Sequence, residues 1–442
     1  MIAFGAGRLA ETLAAIDPGW QDGGACVALS GGLDSSVLLH AMAALAAGRA
    51  LRLRALHVDH GLQAGSRTWA ESCRAACDAA GIPLVIVSLG LEVPRGASVE
   101  AAAREARYAA LAAELAPDER LLTAHHRDDQ LETVLIQLLR GAGVAGLAAM
   151  PSRARLGRGW QLRPLLDVDR AEIRAYADRH RLEWHEDPMN EAPRFDRGYL
   201  RARVLPAIRE RWPSAATTVA RSARHLAQAS RLLDGLAAAD AAGVVDDGRV
   251  SLAGLERLAR DRQVNVLRWW LRAEGLRPPA TARLAVALPA FLTARGDSQP
   301  LLRWNCGELR RYRGRLYALS PLPARASEGP AHAGGFIPLG PGLGRFGLVA
   351  GHGGGLPAGA AWRICFRTGG ESLRPHAGRP RKRLKDLCQE AGVVPWMRDR
   401  LPLVYAGDRL AAVGDLWLDV DLAVAPGAPA LRPVWSGRPR LY

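Results

Sequence analysis

Short apolar runs alternate with stretches of helical periodicity over the first third of the chain. The runs Ala25–Ser30, Leu51–Val58, Pro83–Leu89 and Arg120–Ala124 read as strands, and helical patterns begin near Asp34, Thr68, Ser98 and Asp128. A fifth run, Gln161–Leu166, precedes the helical Asp169–Leu182. Alternation of this kind predicts a parallel sheet covered by helices on both faces, with ligands bound at the carboxyl ends of the strands. From Pro213 to Leu292 the pattern turns mostly helical, with long Ala/Leu/Arg segments. The Gly- and Pro-rich stretch from Pro321 to Gly359 reads as a linker with short strands, and the remainder as a small α+β domain. The expected organisation is α/β: a parallel-sheet domain over 1–212, a helical domain over 213–320, a linker over 321–359 and a small α+β domain over 360–442.

A chain of 442 residues, 49% hydrophobic, is long enough for two or three packed domains. Lys plus Arg number 59 against 44 Asp plus Glu, a formal net charge of +15. That surplus suits a polyanionic partner, although an arginine-rich composition alone would also make the surface basic. Only two of the cations, Lys382 and Lys385, are lysines. The six cysteines are scattered without a CxxC pair, which argues against a zinc ribbon, a redox motif or a cysteine-held cluster. No run approaches the roughly 20 apolar residues that cross a bilayer, and the N-terminus has no leader pattern. A cytoplasmic protein with no membrane partner is expected.

The strongest chemical signal follows the first strand. Ser30-Gly31-Gly32-Leu33-Asp34-Ser35-Ser36 joins an apolar strand to an amphipathic helix. Both glycines let the backbone approach a ligand and take positive φ, while the turn and the helix N-terminus present N–H groups to an anion. Ser30, Ser35 and Ser36 add hydroxyl donors. Asp34 is at odds with a phosphate site unless Mg²⁺ lies between them. No GxxxxGK[ST] is present, so the lysine of the common phosphate loop is missing.

Four further stretches carry charge. His57-Val58-Asp59-His60-Gly61-Leu62 ends the second strand at the ligand edge; its backbone at His57 and Val58 is placed to read a base, or it is an ordinary strand end. Arg104 and Arg107 are three apart on one helix, so both address an anion, or Arg107 faces solvent with Glu105. In Thr123-Ala124-His125-His126-Arg127-Asp128-Asp129-Gln130-Leu131-Glu132, the Asp-Asp pair is expected to cap a helix. Asp129 and Glu132 then share a face that suits an amine cation or Mg²⁺. Two adjacent histidines also suggest a metal, but no third ligand is apparent. Glu186-Asp187-Pro188-Met189-Asn190 precedes Arg197, Arg201 and Arg203, whose guanidinium groups suit RNA phosphates.

The run Ser30–Ser36 resembles the PP-loop of ATP pyrophosphatases, which implies a Rossmann-like PP-loop domain that cleaves ATP between its α- and β-phosphates. Within that superfamily the chain resembles the lysidine synthetases. Its VDHGL element, the helix Glu100–Tyr108, the run His125–Thr133, and Lys382–Leu387 with Val394–Leu403 near the C-terminus carry the likeness. Met189, Gly198, Gln63 and Ala124 depart from the family pattern. The resemblance implies ligation of lysine to the 2-position of the wobble cytidine in the CAU anticodon of isoleucine tRNA, through an adenylated cytidine. It implies ATP held at Ser30–Ser36, His57, Val58 and Arg104, with Mg²⁺ at Asp34. It also implies catalytic roles for Asp34, Arg104 and His125, and free lysine at Asp129 and Glu132. Arg197, Arg201, Arg203, Lys382 and Lys385 would contact tRNA, although the two lysines also fit a solvated basic helix face. A homodimer is compatible with it. The competing readings are a tRNA thiolation enzyme, which the lack of paired cysteines disfavours, a small-molecule amide-forming ligase, which leaves the basic surplus unexplained, and a tRNA-binding protein with a relic nucleotide site.

Overall fold

The computed structural model describes residues 3–59, 61, 66–90, 99–186, 195–295, 298–322, 329–331, 335–425 and 427–441. It falls into two compact units, Met1–Leu233 and Asp234–Tyr442. The first opens with helix α1 (Ala6–Ile16) and then alternates strictly: β1 (Ala25–Ala28), α2 (Leu33–Ala46), β2 (Leu53–Asp59), α3 (Ser66–Ala80), β3 (Leu84–Ser88), α4 (Val99–Glu114), β4 (Arg120–Leu122) and α5 (Arg127–Leu139). A short α6 (Val144–Leu147), a hairpin of β5 (Arg153–Leu156) and β6 (Gly159–Leu162), and α7 (Arg170–His180) follow. The sheet order is β3-β2-β1-β4-β6-β5. All neighbours run parallel except β5, which is antiparallel to β6 at the edge. The alternation of apolar runs anticipated the five parallel strands. It missed β5, whose Arg-Ala-Arg-Leu carries no apolar run because an edge strand meets solvent.

The central strands are buried on both faces, as a parallel sheet under two helix layers requires. One core packs α1, α2 and α7 against one face through Leu9, Leu13, Trp20, Val37, Leu38, Met42 and Ile173. The other joins Cys26, Leu56 and Leu121 to Leu111 of α4 and to Leu115 just after it. The chain leaves β1 toward β2 and β3 on one side and returns to place β4 on the other, so β1 and β4 flank the switch point of the sheet. There the loops after two adjacent strands open into one crevice, where ligands of such sheets bind.

Beyond this sheet come α8 (Asp196–Tyr199), a π-helical turn (Leu200–Val204), α9 (Leu205–Arg211) and the long α10 (Ala215–Val244). Leu131 of α5 packs on Leu200, Leu205, Ala215 and Ala216, which fixes the π-helical turn against the sheet's ligand edge. A π-turn inserts one extra residue into the helical ladder and is frequent at functional sites.

The second unit holds α11 (Leu252–Glu256), α12 (Arg260–Ala273) and α13 (Thr281–Thr293) against an antiparallel sheet. That sheet, β7 (Val245–Asp246), β8 (Arg249–Ser251), β9 (Leu301–Trp304), β10 (Gly307–Tyr312) and β11 (Arg315–Leu319), ordered β7-β8-β11-β10-β9, adds strands to a stretch read as helical. A second core gathers Phe346, Leu348, Leu356, Ile364, Leu387, Trp396 and Val404, and β11 and β10 contribute Tyr317 and Tyr312 to its edge. Part of the stretch read as linker thus lies in this core: residues 345–352 form a strand paired along its length with residues 429–436. Short strands were expected in this stretch; the one at 345–352 is eight residues long and packs into the core through Phe346, Gly347 and Leu348. No helix of the described residues is long and apolar enough to cross a membrane.

Leu38 is fully buried between α2 and its neighbours, whereas Val286 on α13 is 81% exposed. Leu38→Ala is expected to lower unfolding free energy by about 2–5 kcal/mol in denaturant titration. Val286→Ala should stay within about 0.5 kcal/mol of the parent protein.

Candidate active site

The loop after β1 is built by its own side chains. Gly31 has φ +83°, and a Cβ there would sit 3.0 Å from Cys73 Sγ, so this position demands glycine. Gly32 does not: it caps α2 in an extended conformation, with φ −81°, and an added Cβ would make only ordinary contacts. The expectation of positive φ at both glycines is therefore corrected to one. Ser35 is turned inward, donating to the Gly32 carbonyl at 3.0 Å and accepting from the Ser30 N–H at 3.2 Å. Its hydroxyl braces the turn instead of facing a phosphate, 3.0 Å from Ser30 Oγ. Buried Leu33 anchors the helix start, while Ser30 is exposed and Ser36 half-buried. The first-turn N–H groups of Leu33, Asp34 and Ser35 lack intrahelical partners by geometry, the condition for anion binding at a helix start.

On β2, the His57 side chain serves the fold: its ring Nδ1 lies 2.8 Å from the Leu29 carbonyl and 3.5 Å from Cys73 Sγ. The β1 pairing ends at Leu56 while the β3 pairing continues to Asp59. The backbone of His57 and Val58 therefore runs past the end of β1. His60 and Leu62 lie outside the described residues, as do Asp187, Pro188, Met189 and Asn190.

The loop after β4 brings the charges together. His126, not the Asp pair, caps α5: its Nδ1 accepts from the Asp128 N–H at 3.3 Å, while Asp129 Oδ2 accepts from the His126 N–H at 2.9 Å. Accepting at Nδ1 leaves the proton on Nε2, which lies 3.6 Å from both Asp34 Oδ2 and Asp129 Oδ2. One imidazole edge thus links the phosphate-loop helix to the start of α5. Burial pushes the Asp34 carboxyl up, with Asp129 adding to the shift and His126 opposing it. Its Oδ1 is buried with no hydrogen-bond partner among the described residues.

Asp129 and Glu132 share a face, as their spacing required, and the cation on that face is Arg201. Its Nε donates to Glu132 Oε1 at 2.5 Å, and its Nη2 donates to Glu132 Oε2 at 3.0 Å and Asp129 Oδ1 at 3.1 Å. Burial raises the Glu132 carboxyl despite this partner. At Asp129 burial acts in the same direction, but His126, His125, the His126 N–H and Arg201 together hold it below the ordinary carboxylate range. Arg201 therefore sits in the carboxylate pair, whereas Arg203 on the same π-turn is exposed and Arg197 donates to Thr133 Oγ1 at 3.2 Å.

His125 is enclosed, and burial drives its pKa to about 3, with Arg163, Arg197 and Arg107 adding to the effect and Asp129 opposing it. Its Nδ1 lies 3.0 Å from Thr123 Oγ1, which also accepts from Gln161 Nε2 at 3.0 Å. Gln161 Oε1 accepts from Arg163 at 2.6 Å. Arg104 stands over the Tyr108 ring at 5.0 Å and Arg107 at 5.6 Å. Sequence reasoning missed Arg163, Gln161, Tyr108 and the capping role of His126; the buried Gln-Leu-Arg at the end of a strand was the available signal for the first two. The C-terminal lysines belong to the second unit: Lys382 is in a two-residue strand, ion-paired with Glu390, and only Lys385 lies on the helix Leu384–Glu390, exposed. The expectation that both lysines share that helix is corrected, because the helix begins after Arg383.

Three families of known proteins match the chain. A PP-loop domain matches residues 8–208, the TilS substrate binding domain residues 250–317, and the TilS substrate C-terminal domain residues 362–435. The tRNA(Ile)-lysidine synthase of Pseudomonas aeruginosa is 46% identical over 91% of this chain and 92% of its own length. That of Alkalilimnicola ehrlichii is 43% identical over 95% of each chain, and that of Coxiella burnetii 40% identical over 88% of each.

A histidine ionising near pH 3 stays neutral through the physiological range. The unfolded imidazole takes its proton near pH ~6.5, so this group lowers stability progressively as pH falls from there toward its folded value. The ring resonances of His125 are expected to stay flat between pH 8 and pH 5 in an NMR titration; a midpoint near the ordinary histidine value would contradict the burial argument.

Proposed function

We infer the chemistry of this site from one premise: the chain belongs to the tRNA(Ile)-lysidine synthase family. It is an ATP-dependent ligase that joins lysine to the 2-position of the wobble cytidine of isoleucine tRNA with a CAU anticodon, so that the codon read changes from AUG to AUA. The observation that carries the residue-level reading is the shared edge of His126, which joins Asp34 of the phosphate loop to Asp129 of the carboxylate pair at 3.6 Å each. Two half-reactions that pass an activated base from one nucleophile to another need their groups this close.

ATP lies with its pyrophosphate over Ser30–Ser36, on the free N–H groups of the α2 start, and its adenine against the backbone of His57 and Val58 on the edge beyond the end of the β1 pairing. Asp34, whose Oδ1 is buried without a partner among the described residues, would hold Mg²⁺, an ion commonly bound through one or two carboxylates together with substrate phosphates. Bound there, the ion would neutralise charge on the leaving pyrophosphate. The cytidine O2 attacks the α-phosphorus, the bond to the β-phosphate oxygen breaks, and pyrophosphate leaves. Arg104 offsets charge at the α-phosphoryl group.

Lysine then attacks C2 through its ε-amine, the C2–O2 bond breaks, and AMP departs carrying that oxygen. A lysine cation binds the Asp129–Glu132 face, which it enters in exchange for Arg201. The amine must shed a proton before attack, and Glu132, raised by burial, accepts it better than His125, whose low pKa makes a weak base. His125 then acts as a neutral hydrogen-bonding partner. Exposed Arg203, with Arg197 and Lys385, contacts the tRNA backbone. A cytoplasmic setting follows from these substrates.

Purified protein given ATP, labelled lysine and unmodified isoleucine tRNA is expected to place label in the tRNA. Asp34→Ala should abolish both labelling and pyrophosphate release, and Asp129→Asn should raise the KM for lysine while sparing pyrophosphate release. Pyrophosphate release by the parent protein with no label in the tRNA would refute the lysine step. Arg201→Gln should lower the dissociation constant for lysine in the absence of tRNA; a weaker constant would show that Arg201 binds lysine instead of competing with it.

A further inference from the structure

Three guanidinium groups, those of Arg107, Arg163 and Arg197, bear on His125 against the one opposing carboxylate of Asp129, and Arg104 adds its charge to Arg107 and Arg163. Arg104 and Arg107 of α4 stand over Tyr108, and Tyr108 Oη is 3.5 Å from Gln161 Nε2. Arg163 follows β6, and Arg197 lies on α8. None of the four is in an ion pair among the described residues, although the same unit pairs Arg54, Arg120, Arg127 and Arg201 with carboxylates. Arg163 is the most telling: the residue is 7% exposed, it donates to the Pro151 carbonyl and to Gln161, and its Nε is buried with no partner. Burial lowers the pKa of both Arg163 and Arg107, and neighbouring guanidiniums add to the effect. Arg163 is buried, Arg107 and Arg197 are half-buried and Arg104 is exposed; an unpaired buried ion costs several kcal/mol, so a counter-charge that reaches Arg163 is strongly favoured. Tyr108, and an Asp129 already paired with Arg201, do not balance four cations.

We propose that Arg107 and Arg163, with Arg104 and Arg197, form a phosphate-binding site at the ligand edge of β4 and β6, and that Arg163 couples its occupancy to the reacting centre. The forked guanidinium geometry matches phosphate oxygens. The coupling runs through side chains: Arg163 to Gln161, Gln161 to Thr123, Thr123 to His125, next to the His126–Asp129 pair. The site is built from α4, the end of β6 and α8, whereas the pyrophosphate cradle is built from the loop between β1 and α2. Its occupant is therefore a second phosphate of the reaction, from either the α-phosphoryl group of the nucleotide or the RNA backbone beside the reacting cytidine. This inference rests on the ligase reading above, which of these four placed only Arg104 and Arg197 at substrate phosphates, and it adds Arg107 and the buried Arg163 to them.

The test compares the full-length protein with Arg107→Gln, Arg163→Gln and Arg163→Lys. ATP binding without tRNA, tRNA binding as a function of salt, the KM for lysine and thermal unfolding are each measured. At least about a tenfold loss of affinity for one phosphate-bearing substrate is expected, with the KM for lysine unchanged and partial rescue by Arg163→Lys. Weakened ATP binding assigns the nucleotide phosphate; unchanged ATP binding with weaker tRNA binding and a shallower salt slope assigns the backbone. If both glutamine variants bind ATP and tRNA as the parent does, or change only the KM for lysine, the proposal is wrong. Should Arg163→Gln fail to fold, the half-buried Arg107→Gln carries the test. Failure of the parent protein to label tRNA with lysine would instead count against the ligase reading.

Discussion

Burying a carboxylate costs several kcal/mol unless other groups replace its water, and Asp129 is only 7% exposed. Its charge is kept by the His126 N–H at 2.9 Å, by Arg201 at 3.1 Å and by the nearby His126 ring. Each of these partners is tied to a different part of the first unit. His126 closes the loop after β4 and caps α5, Arg201 comes from the π-helical turn, and the same imidazole edge reaches Asp34 on α2. The pull on one buried acid thus brings the phosphate loop, the carboxylate pair and the arginine-rich turn into one constellation. Glu132, paired with Arg201 and only 1% exposed, remains raised, so two acids three residues apart have divergent proton affinities. Such divergence marks a site able to hold one group as an anion while another exchanges a proton.

The sheet order makes this arrangement possible. Because β1 and β4 lie side by side at the switch point, the loops that follow them share a crevice although about a hundred residues separate them. The extra residue of the π-turn then lets Arg201 point at α5 while Arg203, two positions on, stays exposed. Arg197 adds a further hold on α5 through Thr133. Lysine entry under this account is a cation exchange on a fixed anionic face, and RNA entry supplies phosphate to arginines that have no acid of their own.

Much of this was legible in the chain. Apolar runs of strand length marked the five parallel strands, because buried parallel strands cannot hide their hydrophobicity. The Ser-Gly-Gly turn and the Asp129–Glu132 spacing located both halves of the site. What escaped was information held in tertiary contacts. Nothing local shows that Ser35 turns into its own loop, that His126 and not the acidic pair caps α5, or that Arg201 fills the carboxylate face. Arg163 was hidden for the same reason: a charged residue after a strand looks solvated until the fold buries it. The β-strands at 301–319 were obscured by arginine, whose presence in half-exposed antiparallel strands depends on which face meets the core.

The claim at the centre of this account is that the same cytidine oxygen attacks ATP and later leaves with AMP, within one crevice. Isoleucine tRNA carrying ¹⁸O at the 2-oxo position of the wobble cytidine, incubated with ATP and lysine, tests it by mass spectrometry of the released AMP. The account predicts one ¹⁸O atom in each AMP formed with lysine incorporation. Unlabelled AMP, with ¹⁸O kept in the RNA or lost to water, would contradict it.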